Sequence, residues 1–271
     1  MALITAQQLT NYYNQFAEID VTFTREVVKV VRLRSKEIFI RALGLHWPCI
    51  IYSSSMVGAK IIANVETDFS QKVTEANDLV SLRFSFDQVD KKDPLTFFVS
   101  AKVVAYSTYS DDHPELNFVT LKYTQRPSDD LIAIFGTLLE ANINAKRRKE
   151  ERIEINPETV RKLGLLSKNA LLMIDDAPKK CIIRDLSFSG ALIIIIGAAA
   201  SMTAKHVKLK LEVADNRQTI VIPGRILRFE EIPERKGIGS VAIQFNDGEV
   251  PMEFKLRLNE YISTIRKPDT A

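Results

Sequence analysis

Two arginines four residues apart and an acidic turn further along the chain are the side chains best suited to bind a ligand. The arginines are Arg148 and Arg152, and the turn contains Asp185, Ser187 and Gly190 in the pattern Asp-x-Ser-x-x-Gly. A guanidinium group presents parallel N–H donors, which suit phosphate oxygens and also the O6 and N7 acceptors of guanine. A carboxylate beside a hydroxyl suits the other edge of guanine, where N1–H and the exocyclic amine are donors. These side chains predict binding of a guanine nucleotide that carries phosphate charge.

The chain contains an internal repeat, and the acidic turn lies in its second copy. Residues 49–62 read CIIYSSSMVGAKII and residues 181–194 read CIIRDLSFSGALII, 132 positions apart. The apolar positions are kept in both copies, and elsewhere in each copy apolar residues alternate with polar ones as in half-buried strands. Each copy ends in apolar residues at helical spacing, from Leu131 to Leu139 in the first and from Phe254 to Ile265 in the second. We therefore expect one strand-rich fold, closed by a helix and present twice.

The two copies differ at the positions suited to a ligand. In the register of 132, the two arginines fall on Phe16 and Asp20, and the acidic residue of the turn falls on Ser53. Each motif alone is common, because arginines at this spacing usually lie on a solvated helix face and a polar turn closed by glycine is an ordinary hairpin. Their joint loss from one copy, within the same apolar framework, favours a ligand site in the second copy over a structural role.

The segment Arg148–Arg152, followed by Asp185–Gly190 in a predicted β-barrel, resembles the PilZ family of bacterial cyclic di-GMP receptors. The similarity covers about residues 146–267, and the whole chain resembles the two-domain type of this family that is found in spirochaetes. The resemblance implies an all-β dominated fold of two tandem six-stranded antiparallel β-barrels, each followed by an α-helix. It implies a second-messenger receptor, not an enzyme, with a part in processes such as motility and virulence.

The resemblance also assigns roles to individual residues. Arg148 and Arg152 would close over cyclic di-GMP, while the acidic turn would hold its guanine. In the family, an arginine at the position of Arg147 is associated with two stacked ligand molecules, so one or two ligands per site remain possible. The residues that would bind cyclic di-GMP are Arg147, Arg148, Arg152, Asp185, Ser187 and Gly190.

The predicted boundaries are residues 1–141 for an N-terminal PilZ-like domain without the ligand motifs, 142–152 for a linker with the arginine pair, and 153–271 for the PilZ domain. Positions 146–152 contain five basic residues. Because these repel one another, we expect a linker that is mobile until phosphates neutralise it. Ligand binding would then change the orientation of the two domains and thereby the interaction with a partner, whereas the first copy would bind no cyclic di-GMP.

The composition argues against several other classes of protein. A net charge of +3 over 271 residues is small for a protein that coats nucleic acid. No apolar run approaches the roughly 20 residues of a membrane span, and no export signal is visible, so we expect a cytoplasmic protein without membrane insertion. We also expect a monomer. The sequence also contains no His, Cys or carboxylate residues at the spacing of a metal site, and no set of residues typical of nucleophilic catalysis. Cys49 and Cys181 occupy equivalent positions and are expected to be buried thiols, not a disulfide.

Two other functions remain compatible with the sequence. The basic linker could contact phosphates of a nucleic acid, which would make the chain a nucleic-acid-binding regulator. Steep salt dependence of binding to an unrelated duplex would favour that function. Alternatively, the chain could be a structural adaptor that has lost its ligand, and an empty calorimetric titration would favour that function. The expected partners are cyclic di-GMP and a further protein or nucleic acid.

Overall fold

The computed structural model describes residues 4–65, 67–88, 91–197, 202–214, 218–232 and 237–266. The chain divides into two compact units, Met1–Leu139 and Glu140–Ala271. None of the helices in these described ranges combines the length and the hydropathy that a bilayer-spanning segment requires.

The first unit begins with a capped helix and continues through seven strands to a long helix. Its elements are α1 (Ala6–Phe16), β1 (Val21–Thr22), α2 (Arg25–Val31), a single 3₁₀ turn (Ser35–Glu37), β2 (Phe39–Ala42), β3 (Leu45–Ser54), β4 (Gly58–Asn64), α3 (Thr67–Glu75), β5 (Leu79–Phe86), β6 (Leu95–Ser110), β7 (His113–Tyr123) and α4 (Asp129–Arg147). Because the unit boundary follows Leu139, the last residues of α4 belong to the second unit.

The second unit repeats the order of the seven strands, and among its described elements nothing corresponds to the 3₁₀ turn or to α3. Its further elements are β8 (Ile153–Glu154), α5 (Pro157–Lys162), β9 (Asn169–Ile174), β10 (Ala177–Leu186), β11 (Gly190–Ile196), β12 (His206–Glu212), β13 (Thr219–Glu231), β14 (Ile238–Phe245) and α6 (Met252–Arg266).

Each unit is a closed antiparallel barrel of six principal strands. In the first, the strands pair in the order β3-β2-β5-β6-β7-β4, and β4 pairs back with β3. In the second, the order is β10-β9-β12-β13-β14-β11, and β11 pairs back with β10. The two-residue strands β1 and β8 add to β3 and β10 at equivalent places. Two six-stranded barrels, each followed by a helix, confirm the predicted fold class.

The core of the second barrel is built from alternate residues of its strands and one side of α6. Leu172, Leu209 and Ile222 are fully buried, and Leu258 of α6 packs on the same core. Alternation places every second side chain inside, as the sequence pattern predicts. Ile265, one residue before α6 ends, is the exception to the predicted helical stripe because it is 57% exposed.

The duplication extends to small irregularities of the backbone. A β-bulge between Ile51 and Ser53 in β3 matches one between Ile183 and Asp185 in β10. A bulge inserts one extra residue into a strand and redirects the side chains that follow it. In the second unit, this irregularity directly precedes Asp185, the acidic residue of the predicted ligand motif.

The two cysteines are buried free thiols, as predicted. Burial raises the pKa of Cys49 and of Cys181 to about 12. A thiol that stays protonated is a poor nucleophile, so both act as small apolar side chains.

The end of α4 differs from the predicted linker. The helix continues to Arg147, so residues 142–147 of the segment 142–152 are helical. This stretch contains neither glycine nor proline, and it includes good helix formers such as Ala145 and Lys146. Only two of the five basic residues of the segment, Lys146 and Arg147, lie in this helix.

Candidate ligand-binding site

Strand pairing between β8 and β10 positions the two charged side chains of the site. In this pairing, Ile153 lies opposite Leu186 and Glu154 lies opposite Asp185. Both Ile153 and Leu186 are buried in the core, which sets the register. Since Arg152 immediately precedes β8, this register brings it beside Asp185, 33 residues away in sequence.

Arg152 and Asp185 form a direct ion pair. The Arg152 Nη1 atom donates a hydrogen bond to Asp185 Oδ1 over 2.8 Å. The arginine side chain is 49% exposed and the aspartate side chain 19% exposed, so the pair lies at the surface with the carboxylate partly enclosed. Charge-assisted contacts of this kind are directional, but solvent screens much of their energy. The pair therefore presents a guanidinium and a carboxylate at one place on the barrel surface.

The turn that follows Asp185 is held by its own hydrogen bonds. The Ser187 backbone N–H donates to the Gly190 carbonyl over 2.8 Å, and the Ser187 hydroxyl lies 3.3 Å from the same oxygen. Ser187 is only 2% exposed. The first barrel contains the same turn, in which the Ser55 N–H donates to the Gly58 carbonyl over 2.9 Å. Ser187 therefore shapes the turn in the way that its counterpart does in the copy without the ligand motif.

Gly190 is required by the packing of the backbone. A Cβ atom at this position would lie 2.3 Å from the carbonyl oxygen of Ile243 on the neighbouring strand β14. The equivalent Gly58 has the same constraint, with the carbonyl oxygen of Leu121 at 2.5 Å. Because both barrels need this glycine, Gly190 by itself carries no information about a ligand. The two turns differ at four positions, and Asp185 and Ser189 are the two of these at which the second copy carries a polar side chain.

Ser189 was not predicted as a functional residue, yet it connects the turn to the basic segment. Its hydroxyl donates to the Lys149 carbonyl over 2.8 Å. The Lys149 ammonium group in turn lies 3.0 Å from Asp247 Oδ2. This hydrogen bond lowers the pKa of the Asp247 carboxyl below its usual value. The counterpart of Ser189 in the first copy is Val57, so comparison of the two copies contains a signal for Ser189.

Arg147 and Arg148 lie one turn before Arg152, where α4 ends. The Arg148 N–H donates to the Asn144 carbonyl over 2.8 Å, which continues the helical pattern, and the Glu151 N–H closes a turn onto the Arg148 carbonyl at 3.1 Å. Neither guanidinium forms a salt bridge with any part of the chain that the structure describes. The structure thus pairs Arg152 with Asp185 and leaves the charges of Arg147 and Arg148 unneutralised by an ion pair.

The first barrel has no cation at the positions of Arg148 and Arg152, where it carries Phe16 and Asp20. Phe16, the counterpart of Arg148, is buried and stacks on Tyr12 with ring centroids 5.9 Å apart. Beside the turn, the Ser54 hydroxyl lies 2.7 Å from the Tyr123 hydroxyl. Burial raises the pKa of that phenol, so it stays neutral. These residues offer no cation to a phosphate.

Within the described ranges, no group of three or more His, Cys, Asp or Glu residues could hold a metal ion. The site offers guanidinium groups, one partly enclosed carboxylate and a close-packed backbone turn, which is a set suited to binding a planar polar anion.

Comparison with known proteins matches both halves of the chain to described families. Residues 7–142 match the PilZN3 domain and residues 146–263 match the PilZ domain. A cyclic di-GMP binding protein of Treponema denticola is 43% identical over 268 residues, which cover 99% of this chain and 85% of the relative.

Solved structures with a similar fold include two other bacterial proteins. The Borreliella burgdorferi PlzA protein in complex with cyclic di-GMP is 24% identical, with a TM-score of 0.44, and the match covers 94% of this chain and 98% of that one. The Bacillus subtilis inhibitor of motility MotI/DgrA is 10% identical, with a TM-score of 0.32, and the match covers 86% of this chain and 98% of that one.

Proposed function

The chain belongs to the PilZ family, with a PilZN3 domain followed by a PilZ domain, and from this premise we propose that it is a receptor for cyclic di-GMP. The observation that carries the proposal is the pairing of Arg152 with Asp185 across 33 residues, at the end of β10. In the first copy, the same positions hold Asp20 and Ser53. The name of the Treponema denticola relative supports the same ligand. We assign no reaction to the protein.

The proposed contacts follow from the chemistry of each group. The guanidinium groups of Arg148 and Arg152 would bind phosphate oxygens or the O6 and N7 acceptors of guanine. The Asp185 carboxylate would accept from guanine N1–H and its exocyclic amine. Ser187 and Gly190 would keep the turn in the shape that a flat base can approach. Arg147, at the exposed end of α4, would contact a second ligand molecule if two bind.

Calorimetric titration of the full chain tests this proposal directly. We expect saturable binding of cyclic di-GMP and no saturation with cyclic di-AMP at the same concentrations. Adenine presents an acceptor at N1 where guanine presents a donor, so the Asp185 carboxylate would face another acceptor instead of the guanine N1–H. Equal binding of both dinucleotides would show that the site recognises the phosphates and does not distinguish guanine from adenine. No heat with either would contradict the proposal.

We further propose that binding is transmitted through the segment between the two barrels. Residues 148–152 continue from α4, a helix that begins in the first unit, and they contact the second barrel at Asp185, Ser189 and Asp247. A ligand that binds Arg152 or Asp185 would replace their ion pair and thereby change the contacts that hold this segment on the second barrel. The orientation of the two domains would change with it, and so would the surface presented to a protein or nucleic-acid partner.

Hydrogen exchange and solution scattering test the two halves of this mechanism. With cyclic di-GMP, amide exchange across residues 142–155 should slow, because the ligand neutralises the basic groups and orders the segment. The equivalent stretch of the first copy, residues 10–23, is the internal control and should not change. The scattering profile should also change at saturation. Slower exchange with an unchanged profile would restrict the effect to the site, and no change in either would refute the mechanism.

A further inference from the structure

A partly buried cluster of polar side chains, centred on Asn259 and called here the amide cluster, holds the end of α4 against α6 within the second unit. Asn259 of α6 is 3% exposed, and its side-chain oxygen accepts a hydrogen bond from Asn144 Nδ2 over 2.6 Å. Its side-chain nitrogen donates to Glu140 Oε2 over 3.0 Å. Asn259 thus uses both its donor and its acceptor on two residues of α4 that lie one helical turn apart.

Such a cluster sets position more strictly than apolar packing does. A buried amide that loses its partners pays for its desolvation, whereas apolar side chains tolerate a shift by repacking. Because Glu140 and Asn144 lie on the same side of α4, the helix cannot slide or rotate by one residue without breaking both contacts. Single buried asparagines have this effect on register in paired helices.

The first copy shows that the fold itself does not need these amides. Asn144 corresponds to Tyr12 in the register of 132. When Leu258 is aligned with its buried counterpart Phe135, Asn259 corresponds to Gly136. There the Tyr12 ring packs over the glycine so closely that a Cβ on Gly136 would lie 2.1 Å from Tyr12 Cδ2. The same helix contact is therefore apolar in the copy without the arginine pair and polar in the copy with it.

The amide cluster is adjacent to the arginine pair along the chain. Arg148 follows Asn144 by one helical turn, and its N–H donates to the Asn144 carbonyl over 2.8 Å. The contact between Asn144 and Asn259 therefore fixes the end of α4 and the backbone position from which the Arg148 side chain extends. We propose that Asn259 and Asn144 are positioning residues for cyclic di-GMP binding, which act by presenting Arg148 to the ligand. This inference rests on the proposed function.

A double-mutant cycle in the full chain tests the inference. Removing one amide pairing is worth about 0.5 to 1.5 kcal/mol, so Asn259→Ala and Asn144→Ala should each weaken cyclic di-GMP binding by roughly three- to tenfold. In the Arg148→Ala background, Asn259→Ala should cause no further loss, because the group that it positions is gone. In the Asp185→Ala background, its full effect should persist. Calorimetry measures the affinities, and thermal unfolding confirms that each variant is folded.

Asn142→Ala is the matched control. It removes another polar contact between the same two helices, in which Lys255 Nζ lies 3.3 Å from Asn142 Oδ1, and it should leave the affinity unchanged. Asn144→Ala keeps the test decisive if Asn259→Ala does not fold.

Three results would overturn the inference. If Arg148→Ala weakens binding while Asn144→Ala and Asn259→Ala bind as the wild type does, the positioning role is wrong and the proposed function stands. If Asn259→Ala causes equal losses in the Arg148→Ala and Asp185→Ala backgrounds, the amides act only through general stability. If the wild type binds no cyclic di-GMP, the proposed function fails first, and the inference fails with it.

Discussion

Replacing Arg148 or Arg152 with alanine is expected to weaken cyclic di-GMP binding by roughly tenfold to a hundredfold or more, since a charge-assisted contact is worth about 1.5 to 3 kcal/mol. The charge of Arg148 is unneutralised by any ion pair among the described residues, so its contact with a phosphate would be gained without breaking another. Arg152 also pairs with Asp185, so its loss removes one ligand contact and leaves the carboxylate without its cation.

The repeat provides a matched control for this experiment. Asp20 occupies the position of Arg152 in the first copy and is exposed, so Asp20→Ala should leave both affinity and folding unchanged. Arg152→Lys keeps the charge and loses the two parallel donors, and an intermediate affinity is expected. Calorimetric titration measures all variants. Wild-type affinity in Arg148→Ala or Arg152→Ala would remove that residue from the site.

Substitution of Gly190 by alanine should destabilise the second barrel and reduce ligand binding with it. The new methyl group would lie 2.3 Å from the Ile243 carbonyl oxygen, which belongs to a strand that cannot move away without breaking its ladder. Overpacking of this kind costs roughly 1 to 3 kcal/mol, which should lower the melting temperature of this unit by several degrees.

Gly58→Ala separates the structural role of this glycine from any role in binding. It creates the same conflict with the Leu121 carbonyl oxygen, at 2.5 Å, but in the first barrel. We expect a comparable loss of stability there and an unchanged affinity for cyclic di-GMP. Scanning calorimetry measures the stability of both variants, and limited proteolysis identifies the barrel that opens. If Gly190→Ala is as stable as the wild type but does not bind, the glycine contacts the ligand directly.

The duplicated barrel could be predicted from the sequence because its signals are local. Alternation of apolar residues along each strand and helical spacing at the end of each copy depend only on near neighbours. The repeat of residues 49–62 in residues 181–194 then shows that one set of signals occurs twice. Comparison of the copies also separates Arg148, Arg152 and Asp185 from the common framework, because a difference between two copies of one fold is visible in the sequence itself.

The tertiary structure decides the contacts that depend on distant parts of the chain. Pairing of Arg152 with Asp185 requires the register of β8 on β10, and the need for glycine at position 190 comes from a carbonyl on another strand. Asn144 and Asn259 read in the sequence as ordinary surface residues, because asparagine is usually exposed. In the structure Asn259 is buried and Asn144 is partly buried, because α4 and α6 pack together and bring these two residues into contact although they lie 115 positions apart. Local pattern determines which elements form, whereas the partners of a polar side chain are set by long-range packing, which no local pattern encodes.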